Sequence, residues 1–120
     1  MTKVGIALLP EINPATDDRW ARIESYGFAH AWCLDHLAWR TLADSPWHAT
    51  VPTLAAAALA THRLSLGTFV ATPNFRHPVP FSKELMTLDV MSAGRLTVGV
   101  GAGTPGLDST ILGGPQLSPR

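Results

Sequence analysis

The sequence predicts an α/β fold built on a parallel sheet, and three observations carry that prediction. Short apolar segments with a period of two fall at residues 3–8, 64–71 and 95–101, as expected of strands whose two faces meet different layers, and a short continuous apolar run at 29–34 reads as a buried strand. Segments with helical spacing stand between them, so the order reads strand, helix, strand, helix, strand, helix, strand, which implies right-handed crossovers between parallel strands. The third strand breaks abruptly into the polar loop Thr72-Pro-Asn-Phe-Arg76, and α/β proteins place ligands at the C-terminal ends of buried strands. Function is therefore expected around residues 69–76. Periodicity leaves open whether the sheet is doubly wound or part of a closed barrel.

In the first strand Val4, Ile6 and Leu8 alternate with Gly5 and Ala7. After a loop from Pro10 to Pro14, Thr16 is a good N-cap and Asp17 and Asp18 place negative charge in a first helical turn. Trp20, Ile23 and Tyr26 fall on nearby faces of that helix, and Gly27 closes it. Residues 29–34 form an apolar run interrupted by His30, short enough for a buried strand, and end in Asp35-His36. A loop holding Trp39, Arg40, Asp44 and Trp47 follows, with Ser45-Pro46 as the expected helix start. The alanine-rich helix extends from about His48 to Thr61 and is regular from Pro52 onward. In the third strand Leu64, Leu66, Thr68 and Val70 alternate with Ser65, Gly67, Phe69 and Ala71. Gly67 implies a close backbone approach or a local bulge, and Pro73 ends the ladder. Pro78 and Pro80 suit a first helical turn, after which Phe81, Leu85, Leu88 and Met91 recur at helical spacing up to Gly94. Leu96, Val98 and Val100 share one face of the fourth strand. The tail, rich in glycine and proline, holds at most a short helix near residues 107–112.

With 120 residues, 46% hydrophobic, the chain is one ordinary domain at most. Nine basic and nine acidic side chains give no field for nucleic acid or for a membrane surface. The single Cys33 excludes an internal disulfide and a cysteine-based zinc site. No apolar run reaches the roughly 20 residues of a membrane span, and the N-terminus lacks a signal-peptide pattern. A cytoplasmic location is expected, with a small molecule as partner.

Gly101-Ala-Gly-Thr-Pro-Gly106 satisfies the dinucleotide-binding pattern, which also needs a helix opening within it and an acidic residue about 20 positions later. Gly113-Gly-Pro115 interrupts any such helix, so an NAD(P)-binding doubly wound domain is the minor alternative, and the loop is read as binding an anion or a cofactor edge through its N–H groups. Asp35-His36 is a surface turn pair or a catalytic pair. As a metal site it is weak, because no second His or Cys stands at ligand spacing. Its place at a strand end favours catalysis, with Trp39 and Trp47 walling a dry pocket around a titrating imidazole. His77 is a weaker candidate, while His30, His48 and His62 read as interior, loop and helix-end residues. Cys33 reads as an inert buried thiol. Arg76 either clamps a carboxylate or phosphate or is solvated.

The stretches Tyr26-Gly-Phe-Ala-His-Ala-Trp-Cys-Leu-Asp-His36, Arg63-Leu-Ser-Leu-Gly-Thr-Phe-Val-Ala-Thr-Pro-Asn-Phe-Arg-His-Pro78 and Ser92-Ala-Gly-Arg-Leu-Thr-Val-Gly-Val-Gly-Ala-Gly103 together resemble the luciferase-like family of flavin-dependent oxidoreductases. Within it they look most like the branch that uses the deazaflavin coenzyme F-420, with FMN as the alternative. The resemblance implies a (β/α)8 TIM barrel of about 250 residues. The chain, one partial domain over residues 1–120, is then expected to be its first half, about four β/α units, ending where the fourth crossover helix would begin. The resemblance further implies that Asp35 and His36 lie beside the coenzyme ring, with His36 orienting ring or substrate and acting as general base. Phe69-Val70 would form a non-prolyl cis peptide backing the ring, Thr72 would contact its polar edge, and Gly101, Ala102 and Gly103 would line the site. Trp39 and Thr104 would border the substrate. The sugar-phosphate dehydrogenases of the family carry a glutamate proton donor where Thr104 stands, so the resemblance extends to the reaction type and not to that sugar. The reaction is hydride transfer at the coenzyme's C5 or flavin monooxygenation of a small organic substrate. The chain alone is expected to bind weakly without turnover. The remaining alternative is a non-catalytic half barrel that pairs with itself, as a homo-oligomer, or with a complementing second half.

Overall fold

The computed structural model describes residues 2–13, 18–103 and 106–113. Among them, four parallel strands, β1 (Gly5–Leu8), β2 (His30–Cys33), β3 (Ser65–Ala71) and β4 (Leu96–Val100), form one sheet in the order β1-β2-β3-β4. Helices α1 (Arg19–Ser25), α2 (Thr50–Ala60) and α3 (Pro78–Met91) make the crossovers, and α4 (Leu107–Ile111) follows β4. Each strand lies beside its predecessor, and α2 packs against both α1 and α3 on one face of the sheet. This is the winding of a barrel. The doubly wound alternative needs a reversal of strand order, and the described strands have none.

Alternation directs Ala31, Cys33, Leu64 and Leu66 toward the helices, where they meet Trp20, Ile23, Leu54, Ala57, Ala58 and Leu88 in one buried cluster. Inside it, burial pushes the Cys33 thiol up to about 12, which leaves it un-ionised and inert at neutral pH. His30 and Trp32 lie over the opposite face, joined by a Trp32 Nε1–H to His30 Nδ1 bond of 2.9 Å. A Cβ on Gly67 would stand 2.4 Å from the Trp32 ring and 2.7 Å from the Thr97 carbonyl, so glycine there lets an indole lie against the strands. The close approach expected at Gly67 is thus a ring together with the β4 backbone. The bulge comes later, between Thr68 and Ala71.

Charged groups tie the N-terminal ends of the strands to the main chain. Glu24 accepts the N–H groups of His62, Arg63 and Leu64 at 2.6–3.2 Å, holding α1 to the entry of β3. Partial burial raises the Glu24 pKa, but the three N–H groups and the Arg63 charge outweigh it and hold the carboxyl below its ordinary value of 4.5. Arg95 donates to the carbonyls of Ser92, Leu64, Ala58 and Thr61 and to Thr61 Oγ1 at 2.6–3.0 Å.

Several expectations shift in the fold. Ser45-Pro46 does not start a helix: Trp47 donates through Nε1 to the His36 carbonyl and the His48 N–H to the Pro10 carbonyl, both at 2.7 Å, and α2 begins only at Thr50 with Pro52 in its first turn. Thr16 and Asp17 lie outside the described residues; Asp18 stands at the α1 N-cap with no side-chain cap bond. Tyr26 is exposed rather than packed. Val98 and Val100 are exposed as well, because β4 is the last strand of the sheet among the described residues. No described helix is long and apolar enough to cross a membrane.

Candidate active site

The loops after β2, β3 and β4 are bonded to one another at the C-terminal end of the sheet. Asp35, 2% exposed, takes both guanidinium nitrogens of Arg76, with Nη1 on Oδ2 and Nη2 on Oδ1, the latter at 2.9 Å. Its Oδ2 also accepts the Thr72 N–H at 3.0 Å. Arg76 is stacked between the Phe75 and Phe81 rings, each centred 4.3 Å from its guanidinium carbon. The clamp foreseen for Arg76 therefore closes on an internal carboxylate. Asp35, expected as the catalytic partner of His36, is taken up in this buried pair, and it anchors the Thr72 loop instead of offering a free oxygen for proton transfer. Next along the chain, Thr72 Oγ1 accepts the Asn74 N–H, and Asn74 Nδ2 donates to the Ala102 carbonyl at 2.8 Å.

His36 stands apart from that pair. Its Nδ1 lies 2.7 Å from Asp108 Oδ2, while Asp108 Oδ1 accepts the Leu37 N–H at 2.9 Å. Both indoles expected beside the imidazole flank it, the Trp39 ring centred 4.6 Å and the Trp47 ring 6.3 Å away, but of the two Trp39 alone lines the open cleft there. Asp108, on the short α4, was not foreseen. It lies 72 residues from His36, and no spacing rule connects them; only closure of α4 onto the β2 loop brings them together.

His36, Trp39, Thr72, Gly101 and Gly103 line one open cleft of about 290 Å³, with Asp35 buried behind it and Phe69 and Val70 on its apolar side. The Phe69-Val70 peptide is cis, as the resemblance implied. Both side chains break the strand alternation and are exposed, Phe69 by 56% and Val70 by 42%, where the β3 bulge turns them out of the ladder. A Cβ on Gly103, whose φ is +76°, would meet Asn74 Nδ2 at 2.1 Å, so glycine is what lets the β4 loop close on the β3 loop. Ala102 is exposed and contributes its carbonyl to Asn74. Thr104 lies outside the described residues. His77, the weaker histidine candidate, caps α3 by accepting the Val79 N–H at Nδ1.

An exposed apolar pair edged by a hydroxyl and an imidazole suits one face of a flat heteroaromatic ring with polar substituents. The cleft volume is just under the roughly 300 Å³ at which ligand pockets begin. The dinucleotide reading of residues 101–106 finds no support, since the five residues of α4 begin after the pattern rather than within it. A larger cleft of about 450 Å³ lies between α2 and α3, lined by Val51, Ala55, Leu88 and Met91 together with Lys83, Glu84 and Thr87, and it lies away from the C-terminal ends of the strands.

A sheet wound in barrel order, with a polar-edged cleft at the C-terminal ends of its strands, is the architecture of a β/α-barrel enzyme. The chain belongs to the luciferase-like monooxygenase family, whose profile matches residues 11–118. It is 43% identical over 83 residues to a coenzyme F-420-dependent glucose 6-phosphate dehydrogenase of Beutenbergia cavernae, a match covering 67% of this chain and 24% of that one. The structure of the coenzyme F-420-dependent tetrahydromethanopterin reductase of Methanopyrus kandleri superposes with a TM-score of 0.76 at 30% identity, covering 94% of this chain and 30% of that one. A monooxygenase of Streptomyces bottropensis gives a TM-score of 0.76 at 31% identity, covering 95% and 37%. The chain thus spans between 24% and 32% of the length of its first curated relatives, which are oxidoreductases.

Proposed function

We propose that this chain forms the ring-binding wall of a coenzyme F-420-dependent oxidoreductase acting on a small organic substrate. One observation carries the reading: His36 and Thr72 line one cleft with the exposed Phe69 and Val70 side chains, where Gly101 lies against Val70 and Gly103 against Thr72. When bound, the deazaflavin ring supplies the carbon that exchanges hydride with the substrate. Phe69 and Val70 back one face of it and exclude water. Thr72 Oγ1 accepts from Asn74, so its O–H remains to donate to a ring carbonyl. His36 takes or returns the substrate proton, Asp35 fixes the Thr72 loop, and Trp39 and Thr104 border the substrate. The dehydrogenase and reductase relatives support F-420. The Streptomyces monooxygenase supports a second reading, oxygenation of the substrate on the same wall, for which FMN is the alternative coenzyme.

Residues 1–120 then belong to one barrel domain that further β/α units complete, and a second copy or a complementing segment is the partner that would supply them. The single buried Cys33 is in keeping with the cytoplasm. Parallel fluorescence titrations of the purified chain with F-420, FMN and NADPH, with the sedimentation state recorded, test the proposal. Saturable F-420 binding is expected. FMN binding alone would favour oxygenation, and NADPH binding alone would overturn the assignment.

A further inference from the structure

We infer that Asp108 positions His36 for proton transfer by fixing the neutral imidazole as its Nδ1–H tautomer and reserving Nε2 as the acceptor, an inference that rests on the proposed function for the identity of the proton. An ionised carboxylate only accepts hydrogen bonds. Asp108 Oδ1 receives the Leu37 N–H at 2.9 Å, and Oδ2 faces His36 Nδ1 at 2.7 Å. The opposite tautomer would set a nitrogen lone pair against a carboxylate oxygen at that distance, so Nδ1 carries the proton. Nε2 then holds the only free lone pair of a ring that lines the cleft beside Thr72 and Phe69.

The indole of Trp39 holds the ring plane on one side. Asp108 holds its rotation about the Cβ–Cγ bond and, through Leu37, ties that choice to the main chain. In the transfer a substrate O–H bond breaks and an Nε2–H bond forms. The resulting imidazolium keeps its Nδ1–H on Asp108, whose charge offsets the one gained. Asp108 touches neither substrate nor coenzyme and is a positioning residue. The five-residue α4 is too short to persist without tertiary contacts of this kind.

Side-chain ¹⁵N spectra of the labelled full chain test this, with His36 assigned from the signals lost in His36→Gln. The wild type is expected to show the Nδ1–H pattern. Asp108→Asn keeps the shape. The Leu37 N–H claims the amide oxygen, so the NH₂ faces Nδ1 and the tautomer is expected to invert to Nε2–H. An Nε2–H wild type, or an Asn variant that stays Nδ1–H, overturns the inference; a contact that only held α4 in place would leave the tautomer unmoved. Because Asp108→Asn is isosteric, it decides the matter even where Asp108→Ala loosens α4. Titrating the same samples with F-420 separates the two readings: tautomer inversion in a chain that binds no coenzyme sustains the Asp108–His36 assignment and overturns the proposed function alone.

Discussion

At the N-terminal ends of the strands, Glu24 and Arg95 are hydrogen-bonded almost wholly to backbone groups. At the C-terminal ends, Asp35 and Arg76 are bonded to each other and His36 to Asp108. Backbone partners exist only when the chain is folded; Arg95 uses all five of its N–H groups on four carbonyls and one hydroxyl, and Glu24 turns Oε1 to three N–H groups. The C-terminal end divides its charges. One pair is buried and closed, and it fixes the loops; the other leaves Nε2 of His36 and the O–H of Thr72 open to the cleft. Polar groups at the two ends therefore differ less in kind than in their partners, the chain itself at one end and side chains beside a cleft at the other, and the proposed site lies at the second.

The sharpest way to break this contrast is at Arg95. Arg95→Leu removes donors from four carbonyls and one hydroxyl at once and should cost about 4 kcal/mol, read as a lowered urea midpoint. Coenzyme affinity per folded molecule should stay at the wild-type value. Arg76→Ala comes next. It leaves the 2%-exposed Asp35 with only the Thr72 N–H and should cost about 3 kcal/mol. The double variant Arg76→Ala/Asp35→Asn should recover part of that loss, since the penalty lies in the unpaired buried charge. Additive costs for the two changes would show that the pair does not act as a unit.

Much of the fold is legible in the sequence, because the strand alternation and the order of elements are local signals that the packing keeps. The alternation fails at Phe69 and Val70, where the bulge turns two apolar side chains outward, and those two become the wall of the cleft. It also fails at Val98 and Val100, which have no flanking strand among the described residues. The site was half legible. His36, Thr72 and the glycines announce themselves by their place at strand ends. The roles of Asp35 and Arg76 do not, since residues 41 positions apart become partners only through the parallel register of β2 and β3. Asp108 had no signal at all.

Glu24→Gln should have a smaller effect, about 1.5 kcal/mol at neutral pH, because the amide oxygen still accepts from the same N–H groups but without charge. The Glu24 carboxyl is held below its ordinary value of 4.5 in the folded chain. Its contribution is therefore complete above that value and is lost as the pH falls through the lower, folded value. The stability gap between wild type and Glu24→Gln should close on acidification below about pH 4.5. A gap unchanged at acid pH would mean that the charge contributes nothing.

The smallest effect on stability belongs to His36→Ala, and it is the change that tests the contrast from the other side. The imidazole is half-buried, makes one side-chain hydrogen bond, and leaves Asp108 still held by the Leu37 N–H, so the loss should be about 1 kcal/mol or less. Affinity for F-420 should nonetheless fall by about tenfold, since the polar edge of the cleft loses one of its two groups. Arg95→Leu should show the reverse, with lower stability and unchanged affinity. If His36→Ala instead lowered the urea midpoint as far as Arg95→Leu and left affinity alone, the imidazole would be a structural group like those at the N-terminal end, and the unsatisfied Nε2 would mark nothing.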